Sequence, residues 1–229
     1  GGILINALSK TENFSFVQSG GAAGKVAVGG SFSLNKQLNK TIAKGENGVN
    51  LSGNTLELKA EDKTSHINLV GNMIKGENVG IGVSVSINSL NREVFAGIGE
   101  NKSFNSPGSD LDVTGAINID AIADGAIYAF SLAGTVISES SGSEGTPDKS
   151  QDTKDLSSEA PESGDSGSGS SGQGKFGLGV SGDVSLNKIT DVVIAVLNDN
   201  GTVEAAALRV GSSNSTCIIS ASGSAAILT

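Results

Sequence analysis

The sequence contains very few of the residues that build ordinary protein cores and active sites. Its 229 residues include no Trp, one Tyr, one Met, three Pro, one Cys and one His, and only 3% of them are aromatic. Without large aromatic side chains a wide core cannot be filled, so the core is expected to be thin and built from Val, Ile, Leu and Ala. One Cys excludes an internal disulfide, and together with one His it excludes the usual zinc sites.

The charge balance argues against two classes of partner. The chain carries 15 basic and 24 acidic residues, a net charge of −9, which disfavours nucleic acid and anionic lipid. The longest strictly aliphatic run, Val192 to Leu197, is far shorter than the roughly 20 residues of a membrane-spanning helix. Residues 1–5 do not resemble a signal peptide. We expect the chain to be a piece of a longer protein that continues covalently into flanking repeats.

No catalytic, cofactor-binding or metal-binding residue is predicted. A catalytic triad would have to use His66, the only histidine, which is interpreted as an exposed or core-edge residue of a strand. Residues 167–172 and 169–175 satisfy two nucleotide-loop patterns, but Phe176 follows Lys175 where a Ser or Thr would have to hold magnesium. Both matches are accidents of Gly- and Ser-rich sequence, and no cofactor is expected.

Two further features of the sequence resemble chemical sites. Asp110, Asp112 and Asp120 form the nearest approach to a carboxylate cluster, which could bind calcium or serve a lyase. They are interpreted instead as solvated charges at strand ends. Cys217 has no basic neighbour in the sequence that would lower its pKa, so it is expected to face the core as a small apolar residue.

Residues 138–174 differ in composition from the rest of the chain. Leu156 and Ala160 are their only apolar side chains, and two of the three prolines lie here. This composition predicts a disordered acidic Ser/Gly-rich loop inserted between two structured parts, residues 1–137 and 175–229. The loop is either a tolerated insertion or an arm that is modified or binds a partner.

The remaining sequence repeats itself. Three ten-residue segments align without gaps and each ends in Asn: Val26 to Asn35, Val79 to Asn88 and Leu178 to Asn187. Their first, third, seventh and ninth residues are apolar, and their even positions are small or polar, which predicts extended strands with one aliphatic face. We call these segments the decamers. The Asn at the end of each decamer, and again at Asn47, Asn101 and Asn200, predicts a corner, where the chain bends sharply between two strands.

A second pattern of alternating apolar residues sets the repeat length. It starts at Ile3, Leu56, Ile117 and Leu208, which gives a unit of about 55 residues once the insertion is subtracted. Since coils of parallel β-solenoids commonly have two or three short strands, one unit is interpreted as two coils, and the chain as about seven.

These patterns predict an all-β fold, a parallel β-solenoid, with the aliphatic face of each decamer in the core. Ile81 should then be buried and Ser84 exposed, so that Ile81→Asp unfolds the protein far more readily than Ser84→Asp. An antiparallel sandwich and an outer-membrane β-barrel share the alternation. The barrel is disfavoured because the eight aromatic residues are too scattered for two interfacial belts.

The stretch from Val79 to Asn101 resembles the repeats of large leukotoxin-like filamentous adhesins that Gram-negative bacteria export by type V secretion. The resemblance recurs at Val26 to Asn47 and at Leu178 to Asn200. It implies an extracellular passenger region, a right-handed parallel β-solenoid that projects from the cell surface and has no compact catalytic motif. The expected function is a structural segment of such an adhesin with an unknown host or cell-surface receptor. A host-binding or toxin module and, with less support, a polysaccharide-acting enzyme remain alternatives.

Overall fold

The computed structural model describes residues 1–99, 108–138, 177–197 and 201–229, and these residues form strands and no helix. None of them belongs to a helix that could cross a membrane. The predicted loop of residues 138–174 lies, apart from Ser138, outside the described residues, as do Asn101 and Asn200. The strands are β1 (Ile3–Ala23), β2 (Val26–Gly45), β3 (Asn50–Gly53), β4 (Leu56–Gly76), β5 (Val79–Ile98), β6 (Asp110–Ile137), β7 (Leu178–Leu197) and β8 (Val203–Leu228).

The strands form two parallel sheets that the chain visits alternately. Sheet A contains β1, β4, β6 and β8 in that order, with the short β3 beside β6, and sheet B contains β2, β5 and β7. All of these pairs are parallel. The fold is therefore all-β with curled parallel sheets. The antiparallel arrangements that the sequence left open do not describe these strands.

The sequence repeats stack directly on one another. Val26 pairs with Val79 and Val79 with Leu178, so the three decamers occupy equivalent positions in sheet B, as predicted. The second pattern does the same in sheet A, where Ile3, Leu56, Ile117 and Leu208 are in register. One repeat thus passes once through each sheet on strands of 20 residues or more. The expectation of two coils per repeat, and of about seven coils, was wrong because the strands are long.

Facing strands of the two sheets run in opposite directions and lie close together. Asn39 of β2 reaches Asp62 of β4, while Ser33, earlier in β2, reaches Asn68, later in β4. Glycine permits this approach, because a side chain at Gly29 would overlap Cδ1 of Ile74, and one at Gly80 would press on Ile137. Small decamer residues thus admit the facing strand at these positions.

The face of the decamers that points inward is the opposite of the one predicted. Gly80, Gly82, Ser84 and Ser86 are buried between the sheets, whereas Ile81 is only half-buried and the aliphatic side lies outward. The reason lies in the second half of the same strand. Large aliphatic residues that must be buried follow at even positions, and β5 has no bulge that would exchange its faces. These residues are Leu90, Val94 and Ile98.

The larger apolar cluster, which we call the apolar core, lies at one end of the strands. The first residues of β4 and β6, including Leu56 and Ile117, pack there against the last residues of β5, including Val94 and Ile98. Aliphatic ladders therefore exist, but they line only part of the interior. The rest of the interior combines polar side chains with smaller apolar groups, such as the cluster of Leu90, Ile127 and Ala129.

The asparagines that end the decamers do not lie at corners. Asn35, Asn88 and Asn187 sit in the middle of continuous strands, and their side chains point between the sheets. Asn47 does lie in a turn, after β2. The predicted corners were wrong in the decamers because each strand is twice as long as its repeated motif.

The observed faces reverse the expected effect of two substitutions. Ser84 is 0% exposed and its hydroxyl donates to the carbonyl oxygen of Leu132. A carboxylate there would be buried without a cation, which costs about 3 kcal/mol or more. We expect Ser84→Asp to lower the free energy of unfolding by at least that amount, measured by urea denaturation. Ile81→Asp, on the outward face, should cost less, and equal losses would contradict the assigned faces.

Candidate functional site

Beyond the apolar core the interior contains a layer of hydrogen-bonded polar side chains, which we call the polar layer. Its centre is a ladder of three equivalent asparagines. Asn35 Nδ2 donates to Asn88 Oδ1 at 2.9 Å, and Asn88 Nδ2 donates to Asn187 Oδ1 at 2.7 Å. Asn68 of the facing sheet also donates to Asn88 Oδ1, at 2.9 Å. Buried amides are costly without partners, so this ladder fixes the register of sheet B.

Arg92 is the largest member of the polar layer and joins four strands. Its Nε and Nη2 form a bidentate pair with Asp191 of β7 at 2.9 and 2.8 Å. Its Nη1 donates to Asp62 of β4 at 3.3 Å and to the carbonyl oxygen of Asp124 in β6 at 2.7 Å. The side chains of Arg92 and Asp62 are 0% exposed and that of Asp191 is 2% exposed. A guanidinium suits this position because its planar donors serve several acceptors at once.

The charges in this cluster stabilise one another. Burial alone would lower the pKa of Arg92, but Asp191 and then Asp62 outweigh it, and the pKa is raised. Burial likewise favours the neutral form of Asp191, yet its bonds to Arg92 hold the pKa of that carboxyl below the usual value. Asp62 also accepts from Asn39, Thr41 and Thr64. The cluster therefore consists of one cation and two carboxylates whose oxygens all accept hydrogen bonds, and it is enclosed rather than open to a substrate.

His66 belongs to the polar layer and not to the surface or core edge. It is 1% exposed, and its Nε2 contacts Oε1 of Gln37. Since Gln37 Oε1 can only accept, Nε2 carries the proton, and Nδ1 has no partner among the described residues. Burial first, and the charge of Arg92 second, lower the pKa of His66. The residue is held neutral and has no access to a substrate.

The outward face of the decamers is an exposed apolar surface, and we call it the decamer face. Val28, Phe32 and Leu34 on β2 are 69%, 59% and 59% exposed, and Val180 and Leu186 continue the surface on β7. The outward decamer positions carry no charge. Continuous apolar surface of this kind is typical of sites that bind another macromolecule.

A groove on the outer face of sheet A is another exposed apolar surface. Its volume is ≈ 530 Å³, and its walls include Phe16, Leu69, Met73, Phe130 and Leu132. Phe16, Leu69 and Phe130 are in register on three neighbouring strands, so the groove crosses the strands. Gly71 and Gly223 leave its floor open. It can bury an apolar group, but it offers few polar atoms for orienting a substrate.

The fold does not bring together the residues that the sequence suggested as candidate chemical sites. Asp110 and Asp112 are exposed, and Asp120 pairs with the exposed Arg209 at 3.4 Å. Cys217 is exposed, so its expected place in the core was wrong. Within the described ranges, no group of three His, Cys, Asp or Glu side chains could hold a metal ion.

Sequence reasoning missed the polar layer because it counted strand faces from the decamers. With Ile81 inward, Arg92 would point to solvent. The missed signal is the change of apolar positions from odd to even within one strand, which occurs between Ile87 and Leu90. Once Leu90 and Val94 are taken as inward, Asn88 and Arg92 follow by the two-residue period.

Comparison of the chain with protein-family models, with curated proteins and with solved structures finds no match in any of the three.

Removing the buried cation should destabilise the protein strongly. Arg92→Met leaves Asp62 and Asp191 buried without it, and we expect a loss of about 3–5 kcal/mol in the free energy of unfolding, measured in urea. Arg209→Met removes an exposed arginine that also pairs with a carboxylate, and should cost less than about 1 kcal/mol. Adding Asp191→Asn to Arg92→Met should recover part of the loss. Equal effects of the two arginine substitutions would contradict the role assigned to Arg92.

Stability should fall below neutral pH because of His66. Its pKa in the folded protein lies below the ordinary value of about 6.5, so the unfolded chain binds the proton more tightly. The contribution is complete above pH about 6.5 and is lost as the pH falls below it, with a slope of up to about 1.4 kcal/mol per pH unit. The contribution of Asp191 to stability is complete above pH about 4 and is lost only below it, because its pKa is lowered. Urea unfolding measured at pH 8, 6.5 and 5 should show this loss of stability, and His66→Gln should remove it. If His66→Gln leaves the pH dependence of the unfolding free energy unchanged, the assignment is contradicted.

Proposed function

We propose that this chain is a segment of a parallel β-solenoid that serves as a non-catalytic stalk in a filamentous adhesin secreted by, or displayed on, a bacterium. Its neighbours in the complete protein are further repeats of the same kind, and its environment is extracellular. The observation that carries the proposal is the register of the repeats. Equivalent residues 53 positions apart, such as Ile3 and Leu56, are direct partners across adjacent strands.

The stacking gives such a stalk its physical basis. Each passage through the two sheets contacts the passages before and after it, so that new passages extend the stack without altering the others. The asparagine ladder repeats the same hydrogen bond from one passage to the next, and Arg92 bonds to Asp191 of the following passage. A shift of register would break these contacts. A rigid, extendable body is what a spacer between a cell and a binding tip requires.

Insertion of one further repeat tests the stalk architecture. Residues 26–78 form a complete repeat of 53 residues, and position 79 is equivalent to position 26. A second copy of residues 26–78 placed after Asn78 should fold cooperatively with a thermal midpoint no lower than that of the parent. Three such insertions should lengthen the particle by about 14 Å, at about 4.8 Å per strand, measured by small-angle X-ray scattering.

A matched control has an insertion of the wrong length. A copy of residues 26–73 after Asn78 adds nearly the same mass but breaks the register, and should abolish cooperative unfolding. If both insertions are tolerated equally, or if the in-register insertion unfolds the protein, the stalk proposal fails.

A host-binding module is the second candidate, and the exposed decamer face favours it. Labelled protein would then bind epithelial cells saturably, and Phe32→Ser would weaken binding at least about tenfold by removing exposed apolar area from the contact. Lys10→Ser, on an exposed residue of sheet A, is the control. A stalk alone predicts no saturable binding. Binding that Phe32→Ser leaves unchanged would reject this face as the site.

A further inference from the structure

The decamer face extends over five successive rows of the outer surface of sheet B. Each row holds three residues in register, one each from β2, β5 and β7, and the rows start at Val26, Val28, Gly30, Phe32 and Leu34. Every residue in these rows is Val, Ile, Leu, Phe or Gly. Because the strands of a sheet lie side by side, a strand added before β2 or after β7 would widen this face without covering it.

The decamer face is larger than the apolar patches of ordinary monomers. Nine of its large side chains are at least 43% exposed, and the exposed fraction reaches 69% at Val28. At roughly 150–200 Å² for a fully exposed residue of this size, they present roughly 800 Å² to solvent. The largest patch of a typical monomer is roughly 300–600 Å², whereas one side of a standard protein interface is roughly 800 Å². The area is therefore sufficient for a stable contact with a second protein surface.

Lysines beside the face restrict how two such faces can meet. The row that follows Leu34 contains Lys36 and Lys188, and both are exposed. A two-fold axis parallel to the strands would place Lys36 of one copy over Lys188 of the other, and opposed like charges weaken a contact. If the strands of the two copies run antiparallel instead, the lysines lie beyond the apolar contact, at its two opposite ends.

The antiparallel arrangement matches the rows of the face. A two-fold axis that crosses the strands at the row of Gly30, Val83 and Gly182 lays the row of Val28 on that of Phe32 in the second copy. Val83 then meets its own equivalent, and every contact between the rows is apolar. A Cβ added at Gly182 would have no neighbour within 4 Å, so the middle row leaves room for side chains of the second copy.

Charges complement one another at the ends of this contact. Lys36 lies six residues after Gly30, so the reversed order of rows brings it over Gly24 of the second copy, six residues before Gly30. Glu77 is exposed beside Gly24, because a Cβ added at Gly24 would lie 3.7 Å from Glu77 Oε2. Each lysine therefore approaches a carboxylate of the other copy.

We propose that the decamer face binds the decamer face of a second copy of this chain, with the strands antiparallel, in a two-fold dimer. The same patch serves on both copies, as isologous interfaces require. The two sheets pack about 10 Å apart, as in a β-sandwich. Because the axis follows the direction in which the strands stack, the two stacks lie side by side and run the same way. This inference stands on the outer face of sheet B and does not depend on the proposed stalk.

The outer face of sheet A is less suited to such a contact. Its apolar half includes Gln18 and Lys75 on the same outward side as Phe16 and Met73. Burial of an ammonium group without a partner is costly, whereas the decamer face contains no polar side chain. The dimer is therefore assigned to sheet B.

Two exposed phenylalanines on opposite faces provide a matched test. Phe32 on the decamer face is 59% exposed, and Phe14 on the outer face of sheet A is 65% exposed. Analytical ultracentrifugation of the chain from about 1 to about 100 µM should show a monomer–dimer equilibrium. Phe32→Asp should raise the dissociation constant at least about tenfold by burying a carboxylate in the contact, and Phe14→Asp should change it less than about twofold. Circular dichroism and the thermal midpoint should show that both variants remain folded.

Cross-linking tests the orientation of the two copies and does not depend on the aspartate variants. In a Cys217→Ser background, Val83→Cys should give a covalent dimer with a short bis-maleimide. Ser89→Cys should not, because six residues along β5 at about 3.3 Å each separate the two equivalents by about 40 Å. With the strands parallel, both cysteines would cross-link, so equal yields overturn the antiparallel dimer.

Three further results would also overturn the proposal. One is a chain that stays monomeric at all these concentrations. Another is a dimer that survives Phe32→Asp or is weakened equally by Phe14→Asp. The third is a monomer that binds epithelial cells and loses that binding in Phe32→Asp, which would assign the decamer face to a host surface.

Discussion

The structure depends on the two-residue period of an unbroken strand. A strand of 20 residues without a bulge has one inward face from end to end, so the half that must be buried decides the orientation of the other half. In β5 the second half contains Leu90, Val94 and Ile98, which are buried in or beside the apolar core. The first half then turns its glycines and serines inward and its valines and isoleucines outward. Both the polar layer and the decamer face result from this one constraint.

A polar interior restricts the structure more than an aliphatic one would. Aliphatic ladders tolerate small shifts, but an amide ladder loses its hydrogen bonds when the strands slip. Asn88 illustrates this, because it is bonded to Asn35, Asn187 and Asn68 across both sheets. Arg92 adds a second fixed point at which β4, β5, β6 and β7 meet. These contacts specify which strands are neighbours, while the apolar core supplies much of the stability.

Much of the fold could be predicted from the sequence, but the inward face could not be read from the repeats. The alignment of Val26, Val79 and Leu178 predicted parallel in-register stacking, because identical spacing places identical residues side by side. The decamers alone could not show which face is buried, since alternation looks the same from either side. Only the long-range packing of β4 and β6 against the end of β5 decides it. The decamers could not show the length of the strands either. Each of these strands is twice as long as its decamer, so one repeat makes one passage through each sheet and not two coils.

The interior and the outer faces of the sheets differ in polarity. Register is specified inside by Asn88 and Arg92, whereas exposed apolar residues lie outside, at Phe32, Leu34 and the groove near Phe130. A substitution on the outer face changes no interior hydrogen bond, so binding properties can change from one repeat to the next while the stack stays the same.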